Sequence, residues 1–131
     1  MPRKKSLSVL FAASECFPLI KTGGLADVVG ALPLALAKTG VDVTVFLPGF
    51  PGVLSGLKSK KTLAKLSGVA GQTAKLVTGK TETGLSVIAL DAPHLFNIEG
   101  NPYLDASGND RAGNGEKFAA FAKIGADIAM G

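Results

Sequence analysis

The chain has 131 residues, 47% of them apolar, and a formal net charge of +4. That length holds one domain with a sizeable core, and that composition excludes a chain disordered as a whole. The basic runs, Arg3-Lys4-Lys5 and then Lys58, Lys60, Lys61 and Lys65, are not interleaved with aromatic residues, so both read as solvated and no nucleic-acid partner is expected.

In chain order, Arg3-Lys4-Lys5 and the apolar run 7–13 (LSVLFAA) have the outline of a secretory leader, with Cys16 in a lipoprotein-like place. The run is short, however, and Glu15 stands directly before the cysteine where a small residue belongs. It therefore reads as a strand covered on both faces behind a basic leader. No stretch is long and uncharged enough to span a bilayer, so no membrane partner is expected. The single cysteine cannot make an internal disulfide, which fits a reducing, cytoplasmic setting.

Residues 14–24 form a loop, and 25–38 carry apolar residues at Leu25, Val28, Val29, Leu32 and Leu36, the one-face spacing of a helix. Pro33 should bend that helix, Thr39-Gly40 should end it, and Lys38 falls in its last turn. Residues 41–47 (VDVTVFL) read as a second strand and 48–52 as a turn. Strand, helix and strand together predict parallel pairing with a right-handed crossover. Residues 53–71 have no assignable pattern. Residues 73–78 and 85–91 read as strands joined by a hairpin loop at 79–84. Residues 92–115 read as mostly loop, and 116–130 as a helix with Phe118, Phe121, Ala122, Gly125 and Ile128 on one side. The expected fold class is α/β, a Rossmann-like parallel sheet with one added β-hairpin.

Glycine motifs for phosphate come next. No G-x-G-x-x-G follows the first strand, and Gly79-Lys80-Thr81 is no P-loop, because Ala74 stands where the earlier glycine belongs and a strand follows. Lys21-Thr22-Gly23-Gly24 remains, after a strand and opening a helix. Helix-start amides attract anions, bare glycines let a ligand approach, and Lys21 supplies a mobile charge. Asp27 lies in the first helical turn, where a carboxylate complements the dipole in any protein. A tight turn is the alternative for the glycines. Ligands of such sheets bind beyond the strand carboxyl ends, where this loop lies, so the residues alone point to an anion or sugar-phosphate loop.

The run SECFPLIKTGGLADVVGALP (residues 14–33) resembles the opening of bacterial glycogen synthases and plant starch synthases. The similarity continues through Leu47-Pro48-Gly49-Phe50-Pro51, residues 90–96 (LDAPHLF), Gly100-Asn101-Pro102-Tyr103-Leu104 and Lys117-Phe118-Ala119. The resemblance implies a retaining glycosyltransferase of the two-domain GT-B type. Such an enzyme moves glucose from ADP-glucose to the 4-hydroxyl end of an α-1,4-glucan, with no metal or other cofactor. It implies that Lys21 contacts the sugar nucleotide or the glucan. Gly23 and Gly24 admit donor phosphate and glucose, Asp27 holds sugar hydroxyls, and Tyr103 borders the cleft. Glu15 and His94 are expected to be structural.

The expectation is then that residues 1–131 are a truncated N-terminal, acceptor-side domain without the nucleotide-binding domain, with no complete catalytic set and no transfer activity alone. Apolar surface left open should favour self-association. Two other classes are a self-contained anion- or nucleotide-binding module and a structural domain whose KTGG is only a turn.

Overall fold

The structure, a computed structural model, describes residues 7–131, so the basic leader at Arg3-Lys4-Lys5 lies outside the described residues. The elements are β1 (Ser8–Ala12), α1 (Gly24–Ala37), β2 (Asp42–Pro48), α2 (Pro51–Gly56), β3 (Lys58–Val69), β4 (Gln72–Lys80), β5 (Ser86–Asp91), α3 (Pro93–Phe96) and α4 (Asn114–Met130). One five-stranded sheet runs in the order β1-β2-β5-β4-β3. β1, β2 and β5 are parallel, and β4 and β3 continue the sheet antiparallel. The strand–helix–strand unit is as the sequence predicts. β5 does more than close a hairpin with β4, because its other edge is the third parallel strand beside β2.

Residues 58–69, unassigned from sequence, are the long edge strand β3. Its first six residues are all exposed, and only Ala64, Leu66 and Val69 turn inward, so the apolar alternation is too short to read. The register with β4 breaks at three places, and the hairpin turns at Ala70 and Gly71, both with positive φ (48° and 82°). An Ala-Gly pair lacks the Asn-Gly signature of such a turn. Lys65 faces Lys75 directly across the strands, and Lys58 faces Lys80. Like charges so placed oppose pairing, but lysines and bulges keep an exposed edge from recruiting other chains.

α1 forms where expected, yet it turns a different face to the core. Ala26, Val29 and Pro33 are buried, while Leu25, Val28 and Leu32 are half-exposed. The small residues explain the rotation. Phe17 N–H donates to the Ala26 carbonyl (2.9 Å), and a Cβ on Gly30 would sit 2.7 Å from the Phe17 carbonyl oxygen. The loop before the helix thus lies directly on Ala26 and Gly30, where a leucine would not fit. Lys38 falls just beyond the helix, not in its last turn.

α4 seals the core. The Phe121 ring stacks on Phe46 of β2, with centroids 4.4 Å apart, and Gly125 admits the same ring at 3.3 Å from its Cβ position. Of the predicted common side, Phe121 and Gly125 are buried, Phe118 and Ile128 are partly so, and Ala122 is exposed. At the carboxyl ends of β2 and β5, Gly49 N–H donates to the Leu90 carbonyl (2.8 Å). A Cβ there would lie 2.5 Å from that oxygen, which is backbone and cannot step aside. Gly49→Ala is expected to cost about 1–3 kcal/mol, read as a lower urea midpoint at unchanged slope.

Candidate functional site

The parallel strands deliver their loops to one end of the sheet. Residues 13–23 leave β1 there, and residues 92–113 leave β5. The first loop is pinned by paired backbone bonds between Cys16 and Ile20 (3.1 and 3.0 Å). Cys16 itself is buried and its Sγ–H reaches only the Phe17 carbonyl, at 3.5 Å. Burial pushes the thiol up to about 11. A neutral thiol is a poor nucleophile, so alkylation at pH 8 is expected to be slow in the folded chain and fast once urea unfolds it. The buried thiolate is disfavoured, so the thiol leaves stability unchanged below pH 9, its ordinary value, and stability falls as pH rises from there toward about 11.

At the loop's far end, Lys21 Nζ donates to both oxygens of Asp27, at 2.8 and 2.7 Å. Both side chains remain about half exposed (47% and 54%). Glu15 is buried, and its Oε2 accepts the Thr22 backbone N–H and the Thr22 hydroxyl, each at 2.7 Å. Its place at a strand end suggested such a structural tie.

Gly23 and Gly24 answer the question their pairing raises. Gly23 is extended (φ −161°, ψ −157°), and Gly24, the first residue of α1, has no positive φ. A Cβ added at either would meet nothing within 4 Å. Neither a left-handed turn nor internal packing demands glycine at this corner.

Tyr103 reaches the same end of the sheet from the other loop. Its hydroxyl lies 2.6 Å from Ser14 Oγ, beside Glu15. Burial raises its pKa first, the Ser14 bond opposes this, and the Glu15 charge adds to the rise. The tyrosine is firmly placed. Its N–H donates to Asn101 Oδ1 (2.8 Å), and its carbonyl accepts from Arg111 N–H and Asn114 Nδ2 (2.9 Å each). Buried Lys117 donates to the neighbouring Pro102 carbonyl (2.9 Å) and lies 4.9 Å from the Phe118 ring centroid. Burial, then the Arg111 charge, lowers the Lys117 pKa.

Lys21, Gly23, Gly24 and Asp27 therefore share one corner, and Tyr103 joins it through Ser14. Sequence reasoning missed Ser14, Thr22 and Lys117 as supports. Only Lys117 carried a local signal, a lysine within the apolar pattern of a helix. His94 is structural, as expected, with Nε2–H donating to the Val69 carbonyl at 2.7 Å. A concavity of about 600 Å³ lies elsewhere, bordered by Lys65, Lys75, Asp91 and Pro93. The glycine corner is the stronger candidate because it lies at the strand carboxyl ends and gathers a cation, bare amides and carboxylates.

An open α/β sheet with a helix-opening glycine loop beyond its first parallel strand defines a Rossmann-like architecture. The model of the starch synthase catalytic domain matches residues 8–131, and the chain belongs to that family. It is 48% identical over 126 residues to the glycogen synthase of Novosphingobium aromaticivorans, covering 96% of this chain and 26% of that protein. The glycogen synthase of Rhodopseudomonas palustris is equally similar, again at 48% identity, with the same coverage. Among solved structures, the catalytic domain of starch synthase IV from Arabidopsis thaliana, bound to ADP and acarbose, matches with a TM-score of 0.75 and 26% identity. The match covers 96% of this chain and 26% of that one. The chain thus spans about a quarter of the length of the relatives it matches.

Proposed function

We propose that this chain is part of the N-terminal, acceptor-side domain of a two-domain GT-B glycogen or starch synthase. The complete enzyme moves glucose from ADP-glucose to the 4-hydroxyl end of an α-1,4-glucan with retention, in the cytoplasm and without a metal. Family membership supports this, as do the ADP and acarbose held by the related starch synthase IV.

The observation that carries the site is the glycine corner. Its backbone is bare, nothing in the described residues requires it to be, and it faces open space at the strand ends. A ligand pressed against amides supplies the missing reason. Departure of ADP leaves negative charge on the diphosphate and positive character on the sugar. Lys21 and the amides of Gly23 and Gly24 offset the first, and Asp27 holds hydroxyls of the second. Tyr103 borders the sugar-binding side.

Gly24→Ala tests the reading. As the first helical residue with free space at its Cβ, alanine should stabilise the chain by about 0.4–1 kcal/mol. In the complete enzyme the same change should raise KM for ADP-glucose. A Gly24→Ala enzyme with unaltered donor kinetics would remove the reading.

Self-association follows from the α1 face at Leu25, Val28 and Leu32, which lies open to water. Sedimentation should show dimers or larger species at high concentration, reduced by Val28→Lys.

A further inference from the structure

We infer that Glu15 is a positioning residue, whose buried carboxylate sets the shape of the loop from Lys21 to Gly24 without touching substrate. The inference rests on the function proposed above. It starts from an imbalance. Glu15 is only 3% exposed, yet among the described residues no basic side chain forms an ion pair with it. A buried carboxylate is costly unless hydrogen-bonded. Both bonds it receives come from one residue, Thr22, through the backbone N–H and the hydroxyl, and both end on Oε2. Bonds to an ionised acceptor are the strong kind.

The place of Thr22 gives this anchor its use. It stands between Lys21, whose ammonium group is held by Asp27, and the two glycines. Fixing the Thr22 nitrogen fixes the peptide plane that joins it to Lys21, and the hydroxyl bond fixes the residue's rotamer. The glycines cannot hold themselves. They have no side chains, their Cβ positions face empty space, and glycine loses more freedom on ordering than any other residue. On the other side, Phe17 is tied to Ala26 of α1. Between that bond and the helix start, the loop's side-chain ties among the described residues are the exposed Lys21–Asp27 pair and the buried bonds of Thr22 to Glu15. Its neighbour Ser14 bonds the Tyr103 hydroxyl, so two consecutive residues at the end of β1 hold both halves of the site.

Two measurements test this. In the chain itself, the Thr22 amide should be protected from hydrogen exchange. Glu15→Gln should speed its exchange about tenfold or more, leaving the β2 amides unchanged. An unchanged Thr22 rate overturns the inference whatever the kinetics show. The second uses an active fusion of this chain to the remaining three-quarters of the Novosphingobium aromaticivorans glycogen synthase. There Glu15→Gln should raise KM for ADP-glucose and lower kcat/KM about 10- to 100-fold, while KM for glucan holds. Thr22→Ser, which keeps both donors, should behave as wild type. Glu15→Gln with Thr22→Val should be no worse than Glu15→Gln alone. A purely structural role would lower kcat through lost folded enzyme and leave KM for the donor unmoved, and that result overturns the inference. Lys21→Ala in the same fusion separates the two failures. If it is silent, the proposed site is wrong. If it is damaging while Glu15→Gln is silent, only the anchor is wrong.

Discussion

Replacing Lys21 by alanine in the complete enzyme is expected to lower kcat/KM for ADP-glucose by about 10²–10³, the range for losing one preorganised donor at a site of developing charge. The geometry shows why the lysine is available. Its partner Asp27 holds it with two short bonds, but both groups are about half in water (47% and 54%). Such exposed pairs contribute about 0–1 kcal/mol, so a diphosphate can take the ammonium group from Asp27 at little cost. The displaced carboxylate is then free for sugar hydroxyls. Asp27→Asn should therefore weaken glucose recognition while leaving ADP binding intact or stronger. Steady-state kinetics with ADP-glucose, and ADP inhibition constants for both variants, check the pair. An Asp27→Asn enzyme that loses ADP affinity would mean that the carboxylate supports the nucleotide after all.

The largest expected loss of stability is at Phe46. Phe46→Ala removes a fully buried ring from β2, strips Phe121 of its stacking partner and opens a void beside Gly125. A buried phenylalanine truncated in this way costs about 3–5 kcal/mol. α4 should loosen first, because its Phe121 and Gly125 pack directly on that ring. Circular dichroism during urea unfolding would show the drop, and faster exchange of the α4 amides would place it. Phe46→Leu, which keeps most of the volume, should recover much of the difference.

Particular residues show which elements the sequence alone makes legible. β2 was legible because Val43, Val45, Phe46 and Leu47 form a dense β-branched and aromatic run in the middle of a sheet. The loop after β1 was legible because strand, glycines and helix follow in order. α1 was legible as a helix but not in its rotation. Periodicity picked out the large apolar residues, whereas the close approach of Phe17 selected the small ones, Ala26 and Gly30. β3 was hidden because it is an edge strand whose first half is exposed on both faces, where lysines satisfy the physics as well as any alternating pattern. At the candidate site, Lys21, Gly23, Gly24 and Asp27 stood out by type and spacing. The tie from Ser14 to Tyr103 spans 89 positions and has no local signal at all.

The lysine-laden hairpin should also set how salt affects encounters between copies of this chain. Lys58, Lys60, Lys61, Lys65, Lys75 and Lys80 all lie on β3 and β4, with Asp91 their nearest acid by ion-pair geometry, 3.7 Å from Lys75. In dilute buffer their field holds molecules apart. At 1 M salt, screening shortens its reach from about 10 Å at 0.1 M to about 3 Å. Added salt should then promote clumping instead of dispersing it, the reverse of what contacts between opposite charges would give.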